Sequence, residues 1–205
     1  MSTTGTIADR SWPRARTAVL RDAVGVGVAV GALGLSFGAL SVLAGFSVAQ
    51  TCALSLLMFS GASQFAVVGV LGAGGGALTG AATATLLGVR NSLYGLNLAS
   101  LLRLRGVRRL VGAHLVLDES SAMATARDDP REARLAFWAT GISVFVLWNI
   151  ATLGGALGAH VLPDPEAAAG LALVMVPLLP AGTPVLVAGL TAIVAAFAAR
   201  RAGGR

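Results

Sequence analysis

The chain has 205 residues, 56% hydrophobic and 12% charged, with a net charge of +6 and a mean hydropathy of +0.81. Soluble domains carry about 25% charged residues, so this chain lacks the polar surface of a water-facing fold; lipid is the solvent that suits it. Every positively charged residue is arginine, and all but Arg90 lie outside or at the ends of the apolar runs, which assigns the charge to membrane topology and argues against nucleic acid as a partner.

Residues 1–22 form a polar, basic arm with Arg10, Arg14, Arg16 and Arg21. The run from Ala23 to Ala49 is longer than the roughly 7–15 residues of a signal-peptide core, and further apolar segments follow it. It reads as a retained first membrane segment. Residues 50–72 are apolar apart from Ser60, Ser63 and Gln64, and Gly74–Gly76 make a turn. Residues 77–102 are apolar yet carry Arg90, Asn91 and Asn97, and the cluster Arg103, Arg105, Arg108 and Arg109 closes them. A mixed stretch, 110–126, holds His114, Asp118 and Glu119; 127–134 is the most charged part of the chain. Residues 135–160 are apolar, with Trp138 placed as an interface anchor and Trp148 as core or cavity wall. An acidic turn with Asp164 and Glu166 follows, then apolar segments 167–180 and 183–199 and a tail with Arg200, Arg201 and Arg205.

A spanning helix needs about 20 apolar residues, which 23–48, 50–72, 77–102 and 135–160 supply. The segment 183–199 is at the short limit, and 167–180 spans only if it continues through the prolines. The runs are continuous rather than alternating, which excludes a β-barrel. The fold class is therefore all-α: a polytopic transmembrane bundle of about 5–7 membrane segments. One transport domain, 23–199, lies between a cytoplasmic arm, 1–22, and a cytoplasmic tail, 200–205.

Cytoplasmic placement of the arginine clusters works for the second half of the chain. Between the N-terminal arm and Arg103 it fails, because three apolar segments join two ends that belong on the same side. At least one helix there must be broken or re-entrant, or one cluster lies outside. Interrupted helices are typical of transporters, where the exposed backbone lines the substrate cavity. The expected break is near Ser60–Gln64 or near Gly88–Asn91.

Three polar groups stand out in this apolar chain. Arg90 lies mid-segment, where a charge costs at least roughly 2.5–3.5 kcal/mol on insertion scales. It needs a cavity or an acid, with Asp118 and Glu119 as the candidates. Its two readings are a transport-pathway residue and a structural or snorkelling pair. In Ser60-Gly61-Ala62-Ser63-Gln64, Gly61 permits a break while Ser63 and Gln64 offer donors and acceptors, for substrate or for a neighbouring helix. Asp118 and Glu119 are suited to carrying a proton or balancing Arg90; the plainer reading is a solvated helix start.

His114 with these two carboxylates lacks any paired-ligand motif, so no metal or cofactor is assigned. Cys52, the single cysteine, reads as a small buried hydrophobe. Glycines four apart, Gly27/Gly31, Gly34/Gly38 and Gly154/Gly158, suit close helix contact. An embedded enzyme is disfavoured: the histidines, His114 and His160, lie in different segments and pair with no nucleophile by spacing. A structural or assembly subunit remains the alternative to a transporter.

Four stretches in order carry a family resemblance: Leu35-Ser36-Phe37-Gly38, Phe59-Ser60-Gly61-Ala62-Ser63-Gln64-Phe65, Val89-Arg90-Asn91-Ser92-Leu93-Tyr94-Gly95 and Leu117-Asp118-Glu119-Ser120. Together they resemble the "PFG", "FAGAAQF", "N-x-R-H-x-L-Y-G" and "T-D-E-S/T" elements of the AzlC family of branched-chain amino-acid permeases, over roughly residues 23–160. Gly88 stands where the family usually has Asn, and Asn91 where it has His. The resemblance implies export of branched-chain or similar amino acids from a multi-pass protein of the bacterial inner membrane. It also implies a small partner membrane subunit of the AzlD type. Ser60, Gly61, Ser63, Gln64, Arg90 and Asn91 would line the pathway, and Asp118 and Glu119 would bind a proton or pair with Arg90. With no Walker A motif in the chain, secondary transport coupled to protons is the expected drive.

Overall fold

A computed structural model describes residues 4–161, with side chains described from 12 to 159. The expected acidic turn at Asp164 and Glu166, the segments 167–180 and 183–199, and the tail 200–205 lie outside the described residues. The described residues form eight helices and no strand.

Helix α1 (Thr4–Gly31) includes the basic arm, which is continuous with the first apolar run. After Ala32 the chain continues as α2 (Leu33–Leu43), so Trp12–Leu43 is one of two helical stretches among the described residues long and apolar enough to cross a membrane. Gly45, with φ +96°, ends α2 in the left-handed region. There Phe46 N–H reaches Ser41 O at 3.0 Å, a closure that glycine permits without a Cβ clash.

Helix α3 (Val48–Leu57) opens with a reciprocal cap: Ser47 Oγ accepts from Gln50 N, and Gln50 Oε1 accepts from Ser47 N. It stops at Met58, and α4 (Gly61–Gly72) starts after Ser60. At 10 and 12 residues, these helices are about 15 and 18 Å long, each short of a hydrocarbon core of roughly 30 Å. The run 50–72 is thus not one continuous span; it is broken at 58–60.

Helix α5 (Ala77–Leu102) runs unbroken through Gly88–Asn91, the other expected place for a break. With Arg90, Asn91 and Asn97 in it, it is not among the two helices apolar enough to cross by composition. Arg103 (φ +48°) and Gly106 (φ +55°) turn the chain into α6 (Val107–His114). A short α7 (Asp118–Thr125) follows, then α8 (Pro130–Val161), which contains the second candidate span. Pro130 at the first position of α8 gives up an N–H that would lack a helical partner anyway, and Asp129 Oδ1 accepts from Arg131 N at 2.6 Å.

The helices divide into two units: 4–28 with 88–147, and 29–87 with 148–161. In the first unit the charged stretch 127–134 binds its surroundings. Arg127 reaches Asp22 at 3.1 Å, the Arg131 guanidinium lies 3.9 Å from the Trp12 ring centroid, and Arg134 Nε donates to Leu101 O at the end of α5.

The second unit is packed by close backbone approach. A Cβ on Gly38 would strike Thr152 O, one on Gly34 would strike Trp148 O, and one on Gly155 would strike Leu35 O. Gly34 and Gly38 therefore do serve tight helix contact. On α8 the matching position is Gly155, not the pair Gly154/Gly158: a Cβ on Gly154 makes only an ordinary 3.5 Å contact, and one on Gly158 meets nothing. In the first unit a Cβ on Gly27 would strike the side chain of Ser143.

Candidate functional site

The break between α3 and α4 belongs to the second unit. An interrupted helix leaves carbonyls unpaired at one new end and amides at the other. Gln64 answers the first set. Its Nε2 donates to Ser55 O at 3.2 Å and, at 3.4 Å, to Leu54 O, which also accepts from Met58 N, near the C-terminus of α3. Gln64 is 0% exposed and its Oε1 has no hydrogen-bond partner among the described residues.

The second set has no side-chain cap. Ser60 precedes α4 in extended conformation, and its side chain does not cap the helix. Instead Ser60 Oγ donates to Ser63 Oγ at 3.2 Å, and Ser63 Oγ donates to Ala84 O on α5 at 2.8 Å. The first amides of α4, at Gly61, Ala62 and Ser63, carry the positive end of its dipole. A break of this form offers donors at one side and acceptors at the other.

An aromatic group adjoins the break. Phe37 and Phe65 meet edge-on with centroids 5.6 Å apart. Trp148 stacks on Phe37 at 6.1 Å and meets Phe65 edge-on at 6.2 Å. A Cβ on Gly61 would lie 3.2 Å from Trp148 Cη2, so glycine there admits the indole. Trp148 is buried, and its Nε1 has no partner among the described residues. Beneath, Ser55 Oγ donates to Thr152 Oγ1 at 3.3 Å. Phe37, Phe65 and Thr152 are not among the residues the sequence points to for a site, and Trp148 is read there only as core or cavity wall. The two phenylalanines were inside the motifs that carry the resemblance; nothing in the sequence tied Trp148 or Thr152 to them.

The second constellation lies in the first unit. Arg90 Nη1 meets Asp118 Oδ2 at 2.9 Å, both side chains 42% exposed. Of the two expected acids, Asp118 is the partner. The pair is held by one contact, and Arg90 Nε and Asp118 Oδ1 are both buried and unpaired among the described residues. So are Asn91 Oδ1, beside Arg90 in the chain, and Ser121 Oγ, one turn beyond Asp118. Ser120 secures the start of α7: its Oγ donates to Leu115 O at 2.7 Å and accepts from Leu117 N at 2.9 Å.

Glu119 is half-buried in α7, a helix too short to cross a membrane. Burial pushes its carboxyl above the usual range. Its own backbone amide opposes this, the neighbouring Asp118 adds to it, and Arg90 opposes it.

Of the eight expected site residues, Ser60, Gly61, Ser63 and Gln64 come together at the break, and Arg90, Asn91, Asp118 and Glu119 are grouped in the other unit.

The sequence model described as AzlC protein matches residues 25–162, a stretch that holds all of these side chains. The inner membrane protein YgaZ of Escherichia coli (strain K12) is 32% identical over 127 residues, which are 60% of this chain and 51% of that protein. The chain therefore spans about half the length of the curated relative it matches. No solved structure matches it. With the family match covering most of the chain and both constellations, this protein belongs to the AzlC family.

Proposed function

We propose that this chain is a multi-pass inner-membrane transporter that exports branched-chain or similar apolar amino acids, working with a small AzlD-type membrane subunit. The observation that carries the reading is the single-contact Arg90–Asp118 pair, with Arg90 the one charged residue of α5. An ion pair kept only for rigidity gains from a second contact. This one leaves an atom unpaired on each side.

A zwitterionic amino acid brings a carboxylate and an ammonium together. Arg90 takes the carboxylate in a planar fork, and Asp118 takes the ammonium. Substrate thereby replaces each partner of the resting pair, and the pair reforms when substrate leaves. The α3–α4 break supports the same reading from the other unit. Its opposed helix ends supply donors and acceptors, as interrupted helices do in secondary transporters, and the Phe37–Phe65–Trp148 group supplies an apolar surface.

Protons are the proposed coupling ion and Glu119 the proposed carrier, because its raised proton affinity brings its titration nearer the working pH. The N-terminal arginines set the N-terminus in the cytoplasm. The test is counterflow of labelled valine in proteoliposomes with and without the partner subunit. Accumulation that requires the chain supports transport. Accumulation indifferent to a pH gradient would remove the proton and leave the substrate reading in place.

A further inference from the structure

Helix α6 presents its apolar side away from the protein. It is buried at Gly112, where an added Cβ would strike Leu104 Cδ1 and come within 3.7 Å of Trp138 Cη2. Val107 and Leu110 are 74% and 72% exposed, and Val111 is exposed beside them. In a helix these three fall on one face, since they are three and four residues apart. Gly112 lies well round from that face. The helix thus rests on the protein through a glycine and turns its largest apolar side chains outward.

The charge around this face has one sign. Arg105, Arg108 and Arg109 are exposed, and their side chains have no hydrogen bond or ion pair among the described residues. No acidic residue occurs between Arg90 and Asp118. Arg103 and Arg134 are already engaged, donating to Ser100 O and Leu101 O at the end of α5.

The depth of α6 follows from its neighbours. Arg134 Nε reaches Leu101 O at 3.1 Å, which sets the end of α5 level with the first turn of α8. That turn begins a helix apolar and long enough to cross a membrane. Trp138, one turn further along, lies beside Gly112 of α6, and tryptophan at the end of a span marks the headgroup level. Positive-inside topology accounts for the arginines alone. It does not account for three exposed aliphatic side chains on the same eight-residue helix.

We propose that α6 is an interfacial helix that binds the phosphate groups of anionic phospholipids through Arg105, Arg108 and Arg109, with Val107, Leu110 and Val111 inserted among the acyl chains below them. Apolar insertion combined with an arginine-rich flank is the physical signature of a helix lying in an anionic membrane surface, and basic clusters directly after a membrane helix attract anionic headgroups.

The test uses the full chain purified in detergent, then placed in nanodiscs of phosphatidylcholine with increasing phosphatidylglycerol. Retained lipid is read by native mass spectrometry, and thermal stability is read in parallel. Wild type should enrich phosphatidylglycerol over phosphatidylcholine, and should melt higher in its presence at low salt. The triple variant R105Q/R108Q/R109Q should lose about tenfold or more of that enrichment, at the order of 1 kcal/mol per basic residue near such a surface. The triple variant with lysine at the same positions keeps the charge and should retain most of it. L110S should weaken retention while leaving its salt dependence.

Equal enrichment in wild type and the glutamine variant would overturn the proposal. So would displacement of the retained lipid effect by millimolar inorganic phosphate, which would mean a soluble-anion site. Stabilisation by the partner subunit alone, with no response to lipid composition, would overturn it in favour of a protein interface.

Discussion

Arg90 on α5 and Asp118 at the start of α7 are joined by one nitrogen–oxygen contact of 2.9 Å, and each keeps a buried polar atom without a partner. If the pair faces a water-filled cavity, it contributes about 0–1 kcal/mol to stability, and removing either partner should change the melting temperature little. If the pair is the resting state of a transport site, the same change should lower transport at least tenfold. Arg90→Ala and Asp118→Asn, compared by nanoscale fluorimetry and by labelled-valine counterflow, separate the two effects. Large destabilisation with residual transport in proportion to folded protein would return the pair to a structural role.

Gln64→Leu removes the donor that serves Ser55 O and Leu54 O. Unsatisfied buried groups cost about 1–3 kcal/mol, so this variant should melt several degrees lower. Ser63→Ala removes one hydroxyl, which donates to Ala84 O, and should cost less. Thermal melts in one membrane mimetic, with expression and insertion checked by fluorescence-detected size exclusion, test the ranking. Equal melting points for wild type and the Gln64 variant would contradict the assignment of Gln64 as the closing group of α3.

Adjacent glycines on α8 should behave differently. Gly155→Ala drives a methyl into Leu35 O, whereas Gly154→Ala places one at ordinary distance from the Leu35 side chain. The first should destabilise by roughly 1–3 kcal/mol, as overpacking does. The second should be near neutral. Gly38→Ala, which would meet Thr152 O, belongs with the first. Melting temperatures of the three variants check this directly.

Glu119 sets a pH dependence. Burial raises its proton affinity in the folded state above the ordinary value of 4.5. The folded chain then holds more protons than the unfolded one across the interval above 4.5, so stability falls as pH rises through it. The contribution is fully present below the unfolded value and is lost by the time the raised folded value is passed. Glu119→Gln should flatten that slope. If Glu119 also carries the coupled proton, the variant should retain counterflow but lose its response to a pH gradient. Unchanged pH profiles for both stability and transport would exclude both roles.

Several features of this architecture were legible in the sequence and others were not. That a helix is interrupted somewhere before Arg103 was legible from basic ends on both sides of an odd number of apolar segments; of the two places the sequence offered, near Ser60–Gln64 or near Gly88–Asn91, the interruption at 58–60 lies beside the first. That α5 passes intact through Gly88 and Asn91 was not legible, because isolated glycine and asparagine weaken a helix by under about 1 kcal/mol each and tertiary packing overrides them. The need of Arg90 for an acid was visible from its cost in lipid; the choice of Asp118 over its neighbour depends on how α7 is oriented. Gly34 and Gly38 announced close packing through their spacing. Gly155 did not, since the matching face of α8 is set by where α2 crosses it. Trp148 joins Phe37 and Phe65 only through tertiary structure, and no local pattern encodes that.

The most direct test of the transport account is labelled-valine counterflow in proteoliposomes holding the chain and its small partner subunit, wild type beside Arg90→Ala at matched, correctly inserted protein. The account predicts valine accumulation above protein-free vesicles for wild type, competed by unlabelled leucine and isoleucine, and near-background signal for the variant. Equal accumulation by both proteins, or none by wild type with the partner present, would contradict it.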